Sequence, residues 1–256
     1  MPRKRVLIIS DSRGRGLEPY LREHLDHDKI IVQVEVLPGA NLEKAVTLLE
    51  RKFDESTDLA IISAGICNFT RKEKQKGRKV LSYSTNQDNI QAIQDLITKT
   101  SGKYRDSLII TTIPPASLTR YYKHYNDNEE PPEELIAQQT DLLADIEAIN
   151  QLITTLNKAD NRTNIDLHTK CFTSALDPKK KREQNPLRRR KIFQEKLLTD
   201  GVHPNQTLQH RWFSRFLNVI SAWLANQSYS DTDHEGAEEW DYKRQRFPRP
   251  STSSHP

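Results

Sequence analysis

The sequence has only two cysteines in 256 residues, Cys67 and Cys171. Two thiols cannot build the disulfide framework of a secreted scaffold, and their spacing is not that of a metal pair, so a reducing compartment is the simpler reading. No stretch approaches the ~20 apolar residues of a membrane span. The basic start, Met1 to Arg5, leads into a short apolar run from Val6 to Ile9, less than the roughly 7 residues that a signal h-region needs. These absences predict an intracellular protein, cytoplasmic or nuclear, without a membrane span. Apolar residues are scarce too, at 35% with a mean hydropathy of −0.78, so part of the chain is expected to be exposed loop or tail. No internal repeat is visible.

The apolar residues that are present fall in short runs. Strands are predicted at Arg5 to Ile9, Ile30 to Val36, Leu59 to Ile62, Ser107 to Thr112 and Asn164 to Leu167. Between and after them, helices are predicted at Leu17 to Leu25, Leu42 to Phe53, Asn89 to Thr98, Pro132 to Leu156 and Thr207 to Asn226. Leu42, Val46, Leu49 and Phe53 recur at three- and four-residue steps, as do Leu135, Leu142, Ile146, Ile149, Leu152 and Ile153, which marks buried helix faces. The alternation predicts an α/β fold, a three-layer sandwich with a central, mostly parallel five-stranded sheet of flavodoxin-like type. One domain is expected over residues 1–226, with basic loop insertions near 71–84 and 171–199 and a tyrosine- and proline-rich loop at 114–132. From Gln227 onward aliphatic residues almost vanish, so residues 227–256 read as a disordered polar tail.

Four loops carry residue types suited to acyl chemistry. The first strand runs into Ser10-Asp11-Ser12-Arg13-Gly14 ahead of a helix, where a serine hydroxyl at the carboxyl end of a strand meets free amides. Taken alone, the segment reads more simply as an aspartate or serine that merely caps the helix. Near the far end stands Thr199-Asp200-Gly201-Val202-His203-Pro204. Its spacing lets the Asp200 carboxylate reach Nδ1 of His203 and leaves Nε2 free for a nucleophile. Pro38-Gly39-Ala40-Asn41 and Ala64-Gly65-Ile66-Cys67-Asn68 both follow strands; a glycine N–H and an asparagine amide are neutral donors suited to a developing oxyanion.

In chain order these blocks, SDS at Ser10 to Ser12, PGAN at Pro38 to Asn41, GICN at Gly65 to Asn68 and DGVHP at Asp200 to Pro204, resemble the SGNH (GDSL-like) hydrolase superfamily over Val6 to about Leu224. The chain also looks similar to the esterase-like domains of animal mobile-element proteins. The resemblance implies Ser12 as nucleophile, His203 as general base and acid, Asp200 as the residue that orients the imidazole, and an oxyanion hole from the Ser12 N–H, the Gly39 N–H and the Asn68 amide. It implies a serine esterase that cleaves an ester-type substrate, such as an O-acetyl or short acyl ester of a small molecule, glycan or lipid, through an acyl-serine intermediate. The first block departs from the pattern: Ser10 stands where glycine is usual, and Arg13 is expected to add charge beside the site.

The alternative is a nucleic-acid-binding module on the same scaffold. Lysine and arginine exceed the acidic residues by 39 to 35, with dense runs at Arg71 to Lys79 and Lys179 to Lys191, and Tyr121, Tyr122 and Tyr125 could stack on bases or roof the site. An intact set of Ser12, Asn68, Asp200 and His203 favours the enzyme. His24 and His27 lack a third ligand, so neither metal nor cofactor is expected; Cys67 reads as a small filler. No leftover apolar stripe argues for oligomers, and a monomer is the expectation.

Overall fold

The computed structural model describes residues 2–176 and 189–230. Strands β1 (Lys4–Ser10), β2 (Ile30–Val36), β3 (Leu59–Ser63) and β6 (Leu108–Ile110) form a wholly parallel sheet in the order β2-β1-β3-β6. β1 shows why helices must cover both faces. Leu7 and Ile9 point to one side and Val6 and Ile8 to the other, and all four are buried, which a half-solvated sheet would not allow. Leu7, Ile9, Ala60 and Ile62 pack under α2 (Leu42–Lys52), α4 (Gln87–Lys103), α5 (Leu118–Tyr125) and α6 (Glu133–Ala159). Val6, Ile8, Leu59 and Ile61 pack under α1 (Leu17–His24) and α7 (Gln206–Ser230). In α7 the buried stripe is Leu208, Trp212, Phe216 and Ile220, four residues apart at each step. No helix of the described residues is long and apolar enough to cross a membrane.

The central sheet has four strands, not the expected five. Residues 164–167 run beside β6, and Thr112 N–H donates to the Ile165 carbonyl (3.1 Å), but no ladder forms. Side chains have taken the ladder's places: the Asn157 amide donates to the Ile110 carbonyl (2.9 Å), and Thr112 Oγ1 accepts from the N–H groups of Leu167 (2.8 Å) and His168 (3.0 Å). The backbone groups are satisfied without a strand.

The expected loops hold structure as well. The 71–84 segment follows the short α3 (Ile66–Phe69) as a β-hairpin, β4 (Thr70–Gln75) with β5 (Arg78–Tyr83). Its two-residue turn has Lys76 at φ 48° and Gly77 at φ 82°, the conformation that matches strand twist in a hairpin. The 114–132 segment contains α5, capped by Ser117 Oγ, which accepts from Arg120 N–H (3.1 Å). The 171–199 segment contains a second hairpin, β7 (Phe172–Leu176) with β8 (Arg189–Phe193). Most of the Lys179 to Lys191 run lies outside the described residues. So does the tail from residue 231 on, while α7 continues through Gln227 to Ser230.

Candidate active site

After β1 the chain turns sharply in a single 3-10 turn, Ser12–Gly14, with the Asp11 carboxylate accepting from Arg13 N–H (2.9 Å). Ser12 is the first residue of that turn, so its own N–H has no acceptor within it. Arg13 is buried against its own turn. It is 6% exposed and turned inward, with its guanidinium on both Asp11 oxygens (2.9 Å at the closest) and on the Pro114 carbonyl (3.0 Å). The charge expected beside the site is therefore neutralised beneath it. Ser10 is also accommodated: its hydroxyl donates to the Ser63 carbonyl (3.2 Å), and the space it fills faces Gly14.

The other half of the site comes from the turn before α7. Asp200 Oδ1 accepts from Val202 N–H (2.9 Å) and His203 N–H (2.8 Å), and Oδ2 meets His203 Nδ1 at 2.8 Å. Gly201 (φ 87°) makes the bend, and its carbonyl accepts from Ser117 N–H (2.7 Å) at the start of α5. A Cβ there would stand 2.5 Å from Ser117 O and from Tyr121 N. Only glycine lets this turn lie flat on the helix end.

The two halves meet where Ser12 Oγ stands 2.9 Å from His203 Nε2. An ionised carboxylate only accepts, so the proton on Nδ1 faces Asp200 and the lone pair on Nε2 faces the serine hydroxyl. Burial alone would raise the Asp200 carboxyl, but hydrogen bonds from the His203 ring, His203 N–H and Val202 N–H hold it well below the usual carboxylate range. Asp200 thus stays ionised across the neutral range. Tyr125 O–H approaches its Oδ2 at 3.4 Å; burial first and the Asp200 charge second push the Tyr125 phenol up.

The sequence-predicted donors lie on neighbouring loops. Gly39 is exposed after β2, and its N–H makes no hydrogen bond to the described residues. Asn68 bridges two elements: its Oδ1 accepts from Leu42 N–H (2.8 Å), and its Nδ2 donates to both oxygens of Glu43 (3.0 and 2.9 Å). Two oxygens of one carboxylate subtend a much smaller angle at nitrogen than the two amide N–H bonds do. One shared N–H serves both, and the second remains. Cys67 beside it is half-buried, and burial pushes its thiol up against the pull of the Arg13 guanidinium, as suits a filler.

Sequence reasoning missed Gly14 and Glu43; it offered Tyr125 as a roof over the site but not as a neighbour of Asp200. The glycine two places after the nucleophile was the readable signal; Glu43 is joined to the site only by tertiary packing. Tyr121 and Tyr122 are in the core at 5% and 4% exposure, which removes them as base-stacking platforms. His24 Nδ1 is bonded to the Tyr20 carbonyl (2.8 Å), and no three His, Cys, Asp or Glu side chains of the described residues are grouped to hold a metal.

The fold is that of the SGNH (GDSL-like) hydrolases. Among solved structures, the acetyl xylan esterase AlAXEase is similar over 84% of this chain and 99% of its own, with 16% identity and a TM-score of 0.51. A GDSL-like lipase from Parabacteroides merdae matches 86% of this chain and 98% of its own, at 12% identity and a TM-score of 0.46. The esterase domain of the ORF1 protein of the zebrafish ZfL2-1 retrotransposon matches 85% and 98%, at 15% identity and a TM-score of 0.29. No family model matches the chain, and no curated protein does.

Proposed function

We propose that the protein is a serine esterase that hydrolyses a short acyl or O-acetyl ester through an acyl-serine intermediate. The observation that carries this reading is the continuous relay from Ser12 Oγ through the His203 ring to Asp200, at 2.9 and 2.8 Å. Ser12 Oγ attacks the ester carbonyl while His203 Nε2 takes its proton, and a C–O bond forms as the carbonyl π pair moves onto oxygen. That oxyanion is met by the Ser12 N–H, the Gly39 N–H and the Asn68 N–H left over from Glu43. Collapse breaks the bond to the alcohol, which leaves with the proton from His203. Water then repeats the sequence on the acyl-serine, with His203 again as base, and releases the acid.

Asp200 holds the imidazole in the tautomer the first step needs and stabilises the imidazolium as it forms. The Tyr125 hydroxyl on Asp200 and Lys79 over the Tyr125 ring support a short acyl group over a long alkyl chain. Hydrolysis of para-nitrophenyl acetate by wild type, Ser12→Ala and His203→Ala tests the proposal. Turnover above background in wild type, reduced about 1,000-fold or more in both variants, supports it; equal rates in all three overturn it.

A further inference from the structure

We infer that the ester taken by this site is anionic, drawn in by an uncompensated cationic face that the β4–β5 hairpin turns towards the relay. This rests on the hydrolase reading above. In the hairpin register Lys74 pairs with Lys79 and Lys72 with Leu81. Directly paired residues point to the same side and next-but-one residues share it, so Lys72, Lys74 and Lys79 stand on one face.

That face is turned to α5. Lys72 Nζ lies 5.7 Å from the Tyr121 ring centroid and Lys79 Nζ 5.1 Å from that of Tyr125, and the Tyr125 hydroxyl is on Asp200. One aromatic ring therefore separates Lys79 from the relay. The backbone beneath Lys79 is fixed: its N–H donates to Asn126 Oδ1 (3.0 Å), and Asn126 Nδ2 returns a bond to its carbonyl (2.8 Å). Farther along, Tyr83 N–H donates to Gln138 (3.1 Å) and Ser84 N–H to the Phe69 carbonyl (3.0 Å). The lysines sit on a hairpin whose backbone is anchored at both ends.

Among the described residues no carboxylate forms an ion pair with Lys72, Lys74 or Lys79, nor with Lys44, which lies in the first turn of α2 just past Gly39. On the opposite hairpin face Arg78 is paired with Glu129 (2.5 Å), and in α5 Lys123 is paired with Glu130 (2.9 Å). Glu43, at the start of α2, is hydrogen-bonded by the neutral Asn68 amide and keeps its own charge, so the three hairpin lysines and Lys44 exceed it. Cations left unpaired around a crevice raise the local concentration of anions and hold a negative group that reaches them. A carboxylate or phosphate on either part of the ester would serve, so the two parts are tested separately.

The experiment compares kcat/KM for two pairs of esters of similar size, one member anionic and the other neutral. Mono-para-nitrophenyl succinate against para-nitrophenyl butyrate places the charge on the acyl part, and para-acetoxybenzoate against its methyl ester places it on the alcohol. The expected result is a preference of about tenfold for the anion in at least one pair at low ionic strength, declining as salt screens it. The pair that shows it tells which part carries the charge. K72Q/K79Q should remove most of the preference, and R78Q, on the opposite face, should leave it intact. Neutral and anionic esters hydrolysed equally well, or a preference that R78Q removes as fully as K72Q/K79Q, would overturn the inference and leave the hydrolase intact. No turnover of any of the four esters would overturn the hydrolase reading itself.

Discussion

The side chain of Ser10 fills the space that a Cβ on residue 14 would need, since such an atom would stand 2.5 Å from Ser10 Cβ. A serine where glycine is usual before the nucleophile is matched by a glycine two places after it. The expected result is that Gly14→Ala lowers both stability and activity by displacing the Ser12 turn, and that Ser10→Gly in the same chain restores much of both. A double-mutant cycle on melting temperature and kcat reads this coupling, expected at about 1–3 kcal/mol; additive effects would contradict it.

Gly201 joins the relay to α5. Alanine there combines a positive φ with clashes against the backbone of Ser117 and Tyr121. It should cost about 1–3 kcal/mol of stability and, by moving His203 off Ser12, a larger share of kcat than of KM. Steady-state kinetics with a denaturant melt separates the two, and a variant with wild-type kcat would show that the turn is not what positions the imidazole.

Arg13 and Asp11 form a pair whose side chains are 5% and 3% exposed. Arg13→Ala leaves the Asp11 charge buried without its partner and should destabilise by about 3–5 kcal/mol. By contrast Arg22→Ala, which breaks the exposed pair with Glu18, should cost less than about 1 kcal/mol. Urea melts of the two variants give the comparison.

The sheet and its covering helices were legible because their cause is local. Val6 to Ile9 can be satisfied only by two apolar layers, and the α2 and α6 stripes recur at helical steps. The order Ser12, Gly39, Asn68, His203 was legible as a motif. What escaped was set by tertiary contacts. The segment 164–167 is denied a ladder by Thr112 and Asn157, which lie elsewhere in the chain. The 71–84 stretch reads as a solvated charge run because its strand faces alternate lysine with other polar residues. Arg13 reads as a charge beside the site because nothing local shows that Asp11 and Pro114 draw it inward.

His168 carries a pH dependence separate from the relay. Its side chain is 4% exposed, with Nε2 2.9 Å from Glu147 and the ring stacked on Phe172 at 4.8 Å. Burial pushes its proton affinity down against the opposing pull of Glu147. A group that binds its proton less well folded than unfolded gives stability that is intact above its unfolded pKa of about 6.5 and is lost as pH falls through the folded value. The drop in melting temperature between about pH 7.5 and about pH 5 should therefore be smaller in His168→Gln than in wild type. An equal drop would place the acid sensitivity elsewhere.

The most direct test of the central claim is to treat the protein with a fluorophosphonate and map the adduct by peptide mass spectrometry. The relay predicts one stoichiometric adduct on Ser12, absent in Ser12→Ala and greatly slowed in His203→Ala. A folded wild-type protein that stays unlabelled at Ser12, or is labelled at another serine, would contradict it.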